Sequence, residues 1–294
     1  MQQHIVRRAT TDDQQAIEHL LGKADRLVLY TDRSSVRPAL GNRSFYLVEA
    51  GGQLVCVCGL FIAPQTVAQV RVFGLLNEWA VGEALRAILP IAGEQLGKQD
   101  VTTLAFIGIE AWLLEGLAAN GFRLVNTIVS LQKTDFNIPD KGCPHVTIRP
   151  AGRGDFPNIL AIDQAVFVPL WHNTEGTLSE YLSVCPYFGV AELDGTVVGY
   201  QCLNLIGRHG HVTRIAVHPD YHGQRIAVRL MAEAIRFFQE HRVFGITLNT
   251  QQDNRRARRL YEWFGFKVLG KEAQVMTLDL NVSGVPCLSP QSQV

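Results

Sequence analysis

The chain repeats itself at domain length, and that repeat limits what it can fold into. Near its start it reads Ile5-Val6-Arg7-Arg8-Ala9, and midway Thr147-Ile148-Arg149-Pro150-Ala151. An acidic residue follows each, Asp12 or Asp155, and then apolar residues at helical spacing. Phe45-Tyr46-Leu47-Val48-Glu49 before Gly51-Gly52 is echoed by Phe188-Gly189-Val190-Ala191-Glu192 before Asp194-Gly195. Both read as a strand, a tight hairpin turn and a second strand. Further on, Leu113 to Gly121-Phe122 parallels Ala257 to Gly265-Phe266. The three offsets agree within a couple of residues, so tandem duplication of one unit is the simplest account. A length of 294 residues suits two domains. Between the halves, Pro139, Asp140, Gly142 and Pro144 break both strand and helix patterns. The expected division is a first domain over 1–135, a linker over 136–145, a second domain over 146–282 and a loosely packed tail over 283–294.

In the second half, strands expected near 188–193, 197–205, 211–217 and 245–250 alternate with helices near 156–166, 177–183, 224–241 and 254–264, and a strand pair near 266–280 closes the unit. The long helix places Ile226, Leu230, Met231, Ala234, Ile235 and Phe238 on one face. Strands mixed with helices on both sides indicate an α/β domain of three layers, of the α+β kind.

The chemistry lies between Ile215 and Phe266. Ile215-Ala216-Val217 is an apolar strand that runs through His218-Pro219 into a turn, and the turn runs into a helix start. Unpaired N–H groups at such a junction, with the positive end of the helix dipole, suit phosphate groups. A second helix follows, reading Asn254-x-x-Ala257-x-x-Leu260-Tyr261. These ordered elements resemble the GNAT superfamily of acyl-CoA-dependent N-acyltransferases over roughly residues 146–281. In that family the strand holds the pantetheine arm, the loop wraps the pyrophosphate, and the later helix supplies an asparagine and a tyrosine acid for the departing thiolate. His222 stands where the family prefers Gln or Arg, and Arg225 where it prefers Gly.

The resemblance implies two tandem GNAT-like domains, each a mixed, mostly antiparallel sheet flanked by helices. It implies acetyl-CoA as acyl donor. The donor would lie along Ile215, Ala216 and Val217, with its pyrophosphate on Gly223, Gln224, Arg225, Ile226, Ala227 and Val228, and Asn254 nearby. Tyr261 would be the acid. Arg225 can fold onto a phosphate or narrow the site. Asn254 also suits a plain helix cap, with Asp253 as competitor. Relatives that acetylate protein N-termini often carry a carboxylate where this chain has Asn249, and an amide is no base. His211, at even spacing from Thr213 and Ile215, is the expected substitute, with Glu192 or a water chain as alternatives. Trp171, His172 and Asn173 are expected to wall the acceptor site, with Glu192 and Asn249 near them. The run Arg255-Arg256-x-Arg258-Arg259 reads as a solvated face, with a role near the coenzyme's 3′-phosphate as the other possibility.

The first half lacks these features. Its loop Leu75-Leu76-Asn77-Glu78-Trp79-Ala80-Val81-Gly82 is shorter and has no Gly-x-x-x-Ala spacing, Leu117 falls opposite Tyr261, and Glu110 opposite Asn254. It is expected to keep the fold without binding coenzyme. Formal net charge is zero, so no bulk basic field favours nucleic acid or an anionic membrane. Apolar runs are too short or interrupted to span a bilayer, and from Met1-Gln2-Gln3-His4 no secretory signal is expected. The six cysteines show no zinc spacing, so no metal is expected and reduced thiols in a cytoplasmic protein are. In Cys56-Val57-Cys58 the two thiols are expected on opposite faces. The expectation is a cytoplasmic N-acetyltransferase acting on a primary amine of a small molecule. The alternatives are a non-catalytic acyl-CoA-binding or regulatory module and a peptide or protein N-terminal acetyltransferase.

Overall fold

The computed structural model describes residues 4–30, 44–62, 66–77 and 79–280, without the side chain of Lys271; the expected tail, Glu78 and Cys287 lie outside this set. Two compact units emerge. One comprises residues 1–125 with 274–294, the other residues 126–273.

In the first unit the strands are β1 (His4–Arg8), β2 (Arg26–Leu29), β3 (Ser44–Ala50), β4 (Gln53–Ile62), β5 (Val67–Leu75) and β6 (Thr103–Gly108). Pairing is antiparallel except between β5 and β6, which run parallel over three residues. Helix α1 (Gln14–Lys23) packs Ile17, Leu20 and Leu21 on one face of the sheet. Helices α2 (Val81–Gly97) and α3 (Ala111–Ala118) cover the other. Alternation along the strands divides the two cores: Tyr46 and Val48 face α2, while Phe45 and Leu47 face α1. Cys56 and Cys58 both enter the α2 core and Val57 the α1 core. The expectation of opposite faces fails because residues two apart on a strand share a face.

The second unit repeats the plan. Its strands are β7 (Arg123–Lys133), β8 (Thr147–Pro150), β9 (Tyr187–Leu193), β10 (Thr196–Ile206), β11 (His209–Val217) and β12 (Ile246–Gln251), in the spatial order β7-β12-β11-β10-β9-β8. Helices α4 (Phe156–Val166) and α5 (Glu175–Val184) lie on one face, α6 (Ile226–Glu240) and α7 (Arg255–Trp263) on the other. The three layers match the expected class. The duplication extends to single interactions. Arg149 Nε binds Glu192 at 2.9 Å and its Nη2 binds Asp155 at 2.8 Å; Arg7 binds Glu49 and Asp13 in the same way at 2.9 and 2.6 Å. Asp13, not Asp12, therefore stands for Asp155. Each arginine holds its aspartate below the ordinary carboxylate range. The turns also recur, with Gly121 at φ +90° and Gly265 at φ +86°.

The expected boundaries differ from these units in one respect: each half gives its last strand to the other unit. From Asn126 onward β7 belongs to the second unit, pairs antiparallel with β12, and buries Val129 and Leu131 in that core. The expected terminal strand pair is one long strand, β13 (Lys267–Asp279). From Gln274 onward it pairs antiparallel with β6 and buries Met276 in the first unit's core. Both strands complete a sheet that would otherwise end in an open edge. The segment after β7 is not a free linker. Gly142, at φ +76°, lies so close to the backbone of Arg229 in α6 that an added Cβ would sit 2.3 Å from its nitrogen.

The exchange predicts an effect far from its sequence position. Met276→Asp buries an uncompensated carboxylate, a change costing several kcal/mol. Hydrogen exchange should accelerate in β4, β5 and β6 while β10 and β11 keep their protection. Loss of protection confined to residues 126–273 would contradict the exchange.

Candidate active site

The site begins where two parallel strands part. β11 and β12 pair only over Gly210–Val212 and Ile246–Leu248. At that point β11 carries an extra residue, Thr213, because Cys202 faces Arg214 while Leu203 faces Val212. This bulge bends the strand away from β12. His218 N–H donates to Val198 O at 2.9 Å, so by antiparallel alternation the N–H and C=O of Ile215 and Val217 turn away from β10 to the open side. His222 Nε2 takes the Val217 carbonyl at 2.9 Å. The parted strands open a cleft of about 640 Å³, lined among others by Ile215, Ala216, Val217, Leu248, Asn249 and Tyr261. That volume lies within the usual range for ligand sites, roughly 300–1,000 Å³.

The start of α6 forms the mouth. A short 3₁₀ turn (Pro219–Tyr221) leaves β11, then Gly223 at φ +82° and Arg225 at φ +61° turn the chain into the helix. Gly223 takes its conformation freely, whereas a left-handed arginine costs about 1–2 kcal/mol. What holds Arg225 is the segment after β7: its guanidinium pairs with Asp140, and its carbonyl accepts from Cys143 N–H at 3.3 Å. No side chain caps this helix start. Ile226, Ala227 and Val228 line the mouth, so their first-turn N–H groups are available to an anion. Gln224 is exposed and does not line the cleft. Arg256 Nη1 donates to His222 Nδ1, which fixes the imidazole with its proton on Nε2. The basic run thus contributes Arg256 to the cleft, while Arg258 turns to Glu262 at 3.5 Å.

At the other end α7 supplies two residues. Asn254, not Asp253, is its cap, with Oδ1 accepting from Ala257 N–H at 3.1 Å. Tyr261 is 6 % exposed and packs near Phe266, and among the described residues its hydroxyl has no hydrogen-bond partner. Burial pushes this phenol up to about 12. Asn249 lines the cleft and accepts from Ser130 Oγ at 2.9 Å.

The wall opposite α6 rests on a buried polar network that sequence reasoning missed. Asp163, fully buried in α4, receives Arg214 Nη2 at 2.6 Å, Asn173 N–H at 2.8 Å and the Tyr200 hydroxyl. Arg214 also donates to the Trp171 carbonyl and stacks 3.5 Å over the Phe167 ring. Phe167, Trp171 and Arg214 line the cleft. Of the three expected acceptor residues, only Trp171 does so. Asn173 is buried in the network, and His172 Nε2 donates to Phe167 O at 2.8 Å. The available signal was a charged residue within the apolar stripe Ile159, Ile162, Val166.

Two expected residues lie elsewhere. His211 is not among the cleft-lining residues. The bulge at Thr213 breaks the even spacing that would have put it on one face with Ile215. Its Nδ1 meets Thr247 Oγ at 2.9 Å, and burial holds its pKa below the ordinary value. Glu192 is committed to Arg149. Among the described residues no carboxylate lines the cleft. Among the described residues no cluster of His, Cys, Asp and Glu could hold a metal, and no helix is long and apolar enough to cross a membrane.

The first unit has the same parting and fills it. β5 and β6 separate after Gln69 and Ala105, and Arg71 is the extra residue, as Thr213 is in β11. Here β2 lies antiparallel along the freed edge, pairing Arg26 with Leu75 through Leu29 with Val72. Tyr30 N–H then donates to Arg71 O at 2.8 Å, and its hydroxyl to Glu110 at 2.7 Å.

Comparison with known proteins agrees with this geometry. The model of the acetyltransferase (GNAT) family matches residues 157–266. A Bacillus subtilis protein named for ribosomal protein bS18-alanine N-acetyltransferase activity is 27 % identical over 115 residues, 38 % of this chain and 75 % of that one. The mycothiol acetyltransferase of Brachybacterium faecium is 33 % identical over 91 residues, 29 % of this chain and only 28 % of that one. A GCN5-related N-acetyltransferase from Sphaerobacter thermophilus superposes with TM-score 0.62 at 16 % identity, over 94 % of this chain and 96 % of that one. A tandem GNAT protein from the clavulanic acid biosynthesis pathway does so with TM-score 0.61 at 13 % identity, over 96 % and 100 %. At such identities these two likenesses speak for the fold. The chain thus has a tandem GNAT fold, and its second half matches the acetyltransferase (GNAT) family over residues 157–266.

Proposed function

We propose that the second unit transfers an acetyl group from acetyl-CoA to a primary amine of a small molecule, by direct attack and without an acyl-enzyme. The observation that carries this is the unfilled edge of β11, which shares one cleft with the uncapped start of α6 and with Tyr261. Acetyl-CoA supplies, when bound, a thioester carbonyl open to attack by an amine. The backbone groups of Ile215 and the N–H of Val217 offer strand-like pairing to an extended ligand arm. The first-turn N–H groups of α6 suit its pyrophosphate. Tyr261, protonated at neutral pH, gives its proton to the leaving sulfur in this reading. A lysine-like amine titrates near pH ~10 and must lose a proton before it attacks. With no carboxylate among the described cleft residues, that proton leaves through water rather than to His211. Trp171, Phe167 and Arg214 form a wall fixed by buried hydrogen bonds, suited to orient a small acceptor. A non-catalytic acyl-CoA-binding role is the second reading, favoured by the pairing of Arg225 with Asp140 at the mouth.

Tyr261→Phe should lower kcat by roughly 10²–10⁴-fold, the usual range for loss of a general acid. Calorimetric affinity for acetyl-CoA should stay unchanged. An unaltered kcat would remove Tyr261 as the acid, and binding without turnover on any amine by the wild type would favour the second reading.

His211 makes a pH prediction. Its folded pKa lies below the ordinary value, so the unfolded chain binds more protons and stability falls as pH drops below about 6.5. In His211→Gln, acid-side thermal melts should lose part of this fall, while the acid limb of kcat/KM stays in place. A displaced limb would return the base role to His211.

A further inference from the structure

Two thiols outside the cleft stand in contact. Cys185 ends α5 and is partly exposed, whereas Cys202 is fully buried in β10. Their Sγ atoms are 2.9 Å apart, with the Cys202 thiol donating. A disulfide needs about 2.05 Å, so less than about 1 Å of approach separates contact from bond. Among the described residues no other cysteine pair makes such a contact; Cys56 and Cys58 are buried side by side in the first unit without one. We propose that Cys185 and Cys202 are a reversible dithiol–disulfide couple, oxidised by small-molecule disulfides.

The exposure of the two residues sets the order of events. Solvent reaches Cys185 only. Its thiolate attacks one sulfur of a disulfide RSSR, forming a mixed disulfide and releasing RS⁻. Cys202 then attacks Cys185 Sγ as thiolate, expels the second RS⁻, and completes the protein disulfide. The protons of the two protein thiols pass to the two released thiolates. Two protein thiols are thereby oxidised by two electrons, and one RSSR is reduced to two RSH. The donated hydrogen bond holds the Cys185 thiol below its ordinary pKa, and the same bond, with burial, pushes Cys202 up. The first attacker is therefore the more acidic and more accessible sulfur.

The bond would fasten the end of α5 to β10. Cys202 faces Arg214 across the β10–β11 pair, and Tyr181, one turn before Cys185, donates to Asn173 Oδ1 at 3.4 Å. The couple thus sits behind the wall that carries Trp171, in the same core cluster as Ala216.

The test uses the full chain, reduced and then incubated with oxidised glutathione. After denaturation and alkylation, labelled thiols should fall from the six in the sequence by two, with the peptides of Cys185 and Cys202 joined and released by dithiothreitol. Cys202→Ser should trap one glutathione on Cys185. Cys185→Ser should form neither the crosslink nor an adduct at Cys202. Six labelled thiols in the treated wild type would overturn the proposal, as would a bond between any other pair.

Discussion

A strand edge with unpaired backbone groups, set inside a sheet, is the constraint on which this structure depends. Buried N–H and C=O groups are almost always satisfied. A sheet that parts after three parallel residues must therefore find a partner for the freed edge or leave it to a ligand. The two units share the parting and its bulge, at Arg71 and at Thr213, yet resolve it differently. In the first unit the chain's own β2 completes the edge of β5. In the second unit no strand among the described residues pairs with the β12-side edge of β11 beyond Val212, and the cleft follows from that open edge. The chemistry of Leu117 and Glu110 alone would predict a weakened first site; the strand pairing predicts an absent one.

The second determinant is electrostatic. Burying Asp163 and Arg214 costs desolvation of two ions, recovered only if nearly every lone pair and proton finds a partner. Here Asn173, Tyr200 and the Trp171 carbonyl supply partners, so the ion pair fixes the loop from Phe167 to Asn173 in one position. A flexible acceptor wall becomes a rigid one, and Arg214 is held at the cleft surface with its charge largely offset from beneath.

Much of this was legible in the sequence. Periodicity and repeated motifs specify two three-layer units, and the order strand, turn, helix, Asn254, Tyr261 specifies the cleft residues. What escaped depends on information that spacing does not carry. The exchange of β7 and β13 is a choice between two sheets that accept either strand equally well on local grounds. A bulge adds one residue without any sequence mark, and it removed His211 from the face on which even spacing had placed it. Glu192 looked available until its partner Arg149, more than forty residues earlier, was located in space. The network around Asp163 joins a helix, two strands and a loop, and only folding brings them together.

The most direct test of the central claim is to count sites. Isothermal titration of the full chain with acetyl-CoA should give one site per chain, with binding lost in Gly223→Pro, where φ +82° cannot be adopted. Amide exchange measured on the same samples should slow in β11 on addition of the ligand and stay unchanged in β5. Two sites per chain, or protection gained in β5, would contradict an edge already filled by β2. No binding at all would contradict an edge left open for a ligand.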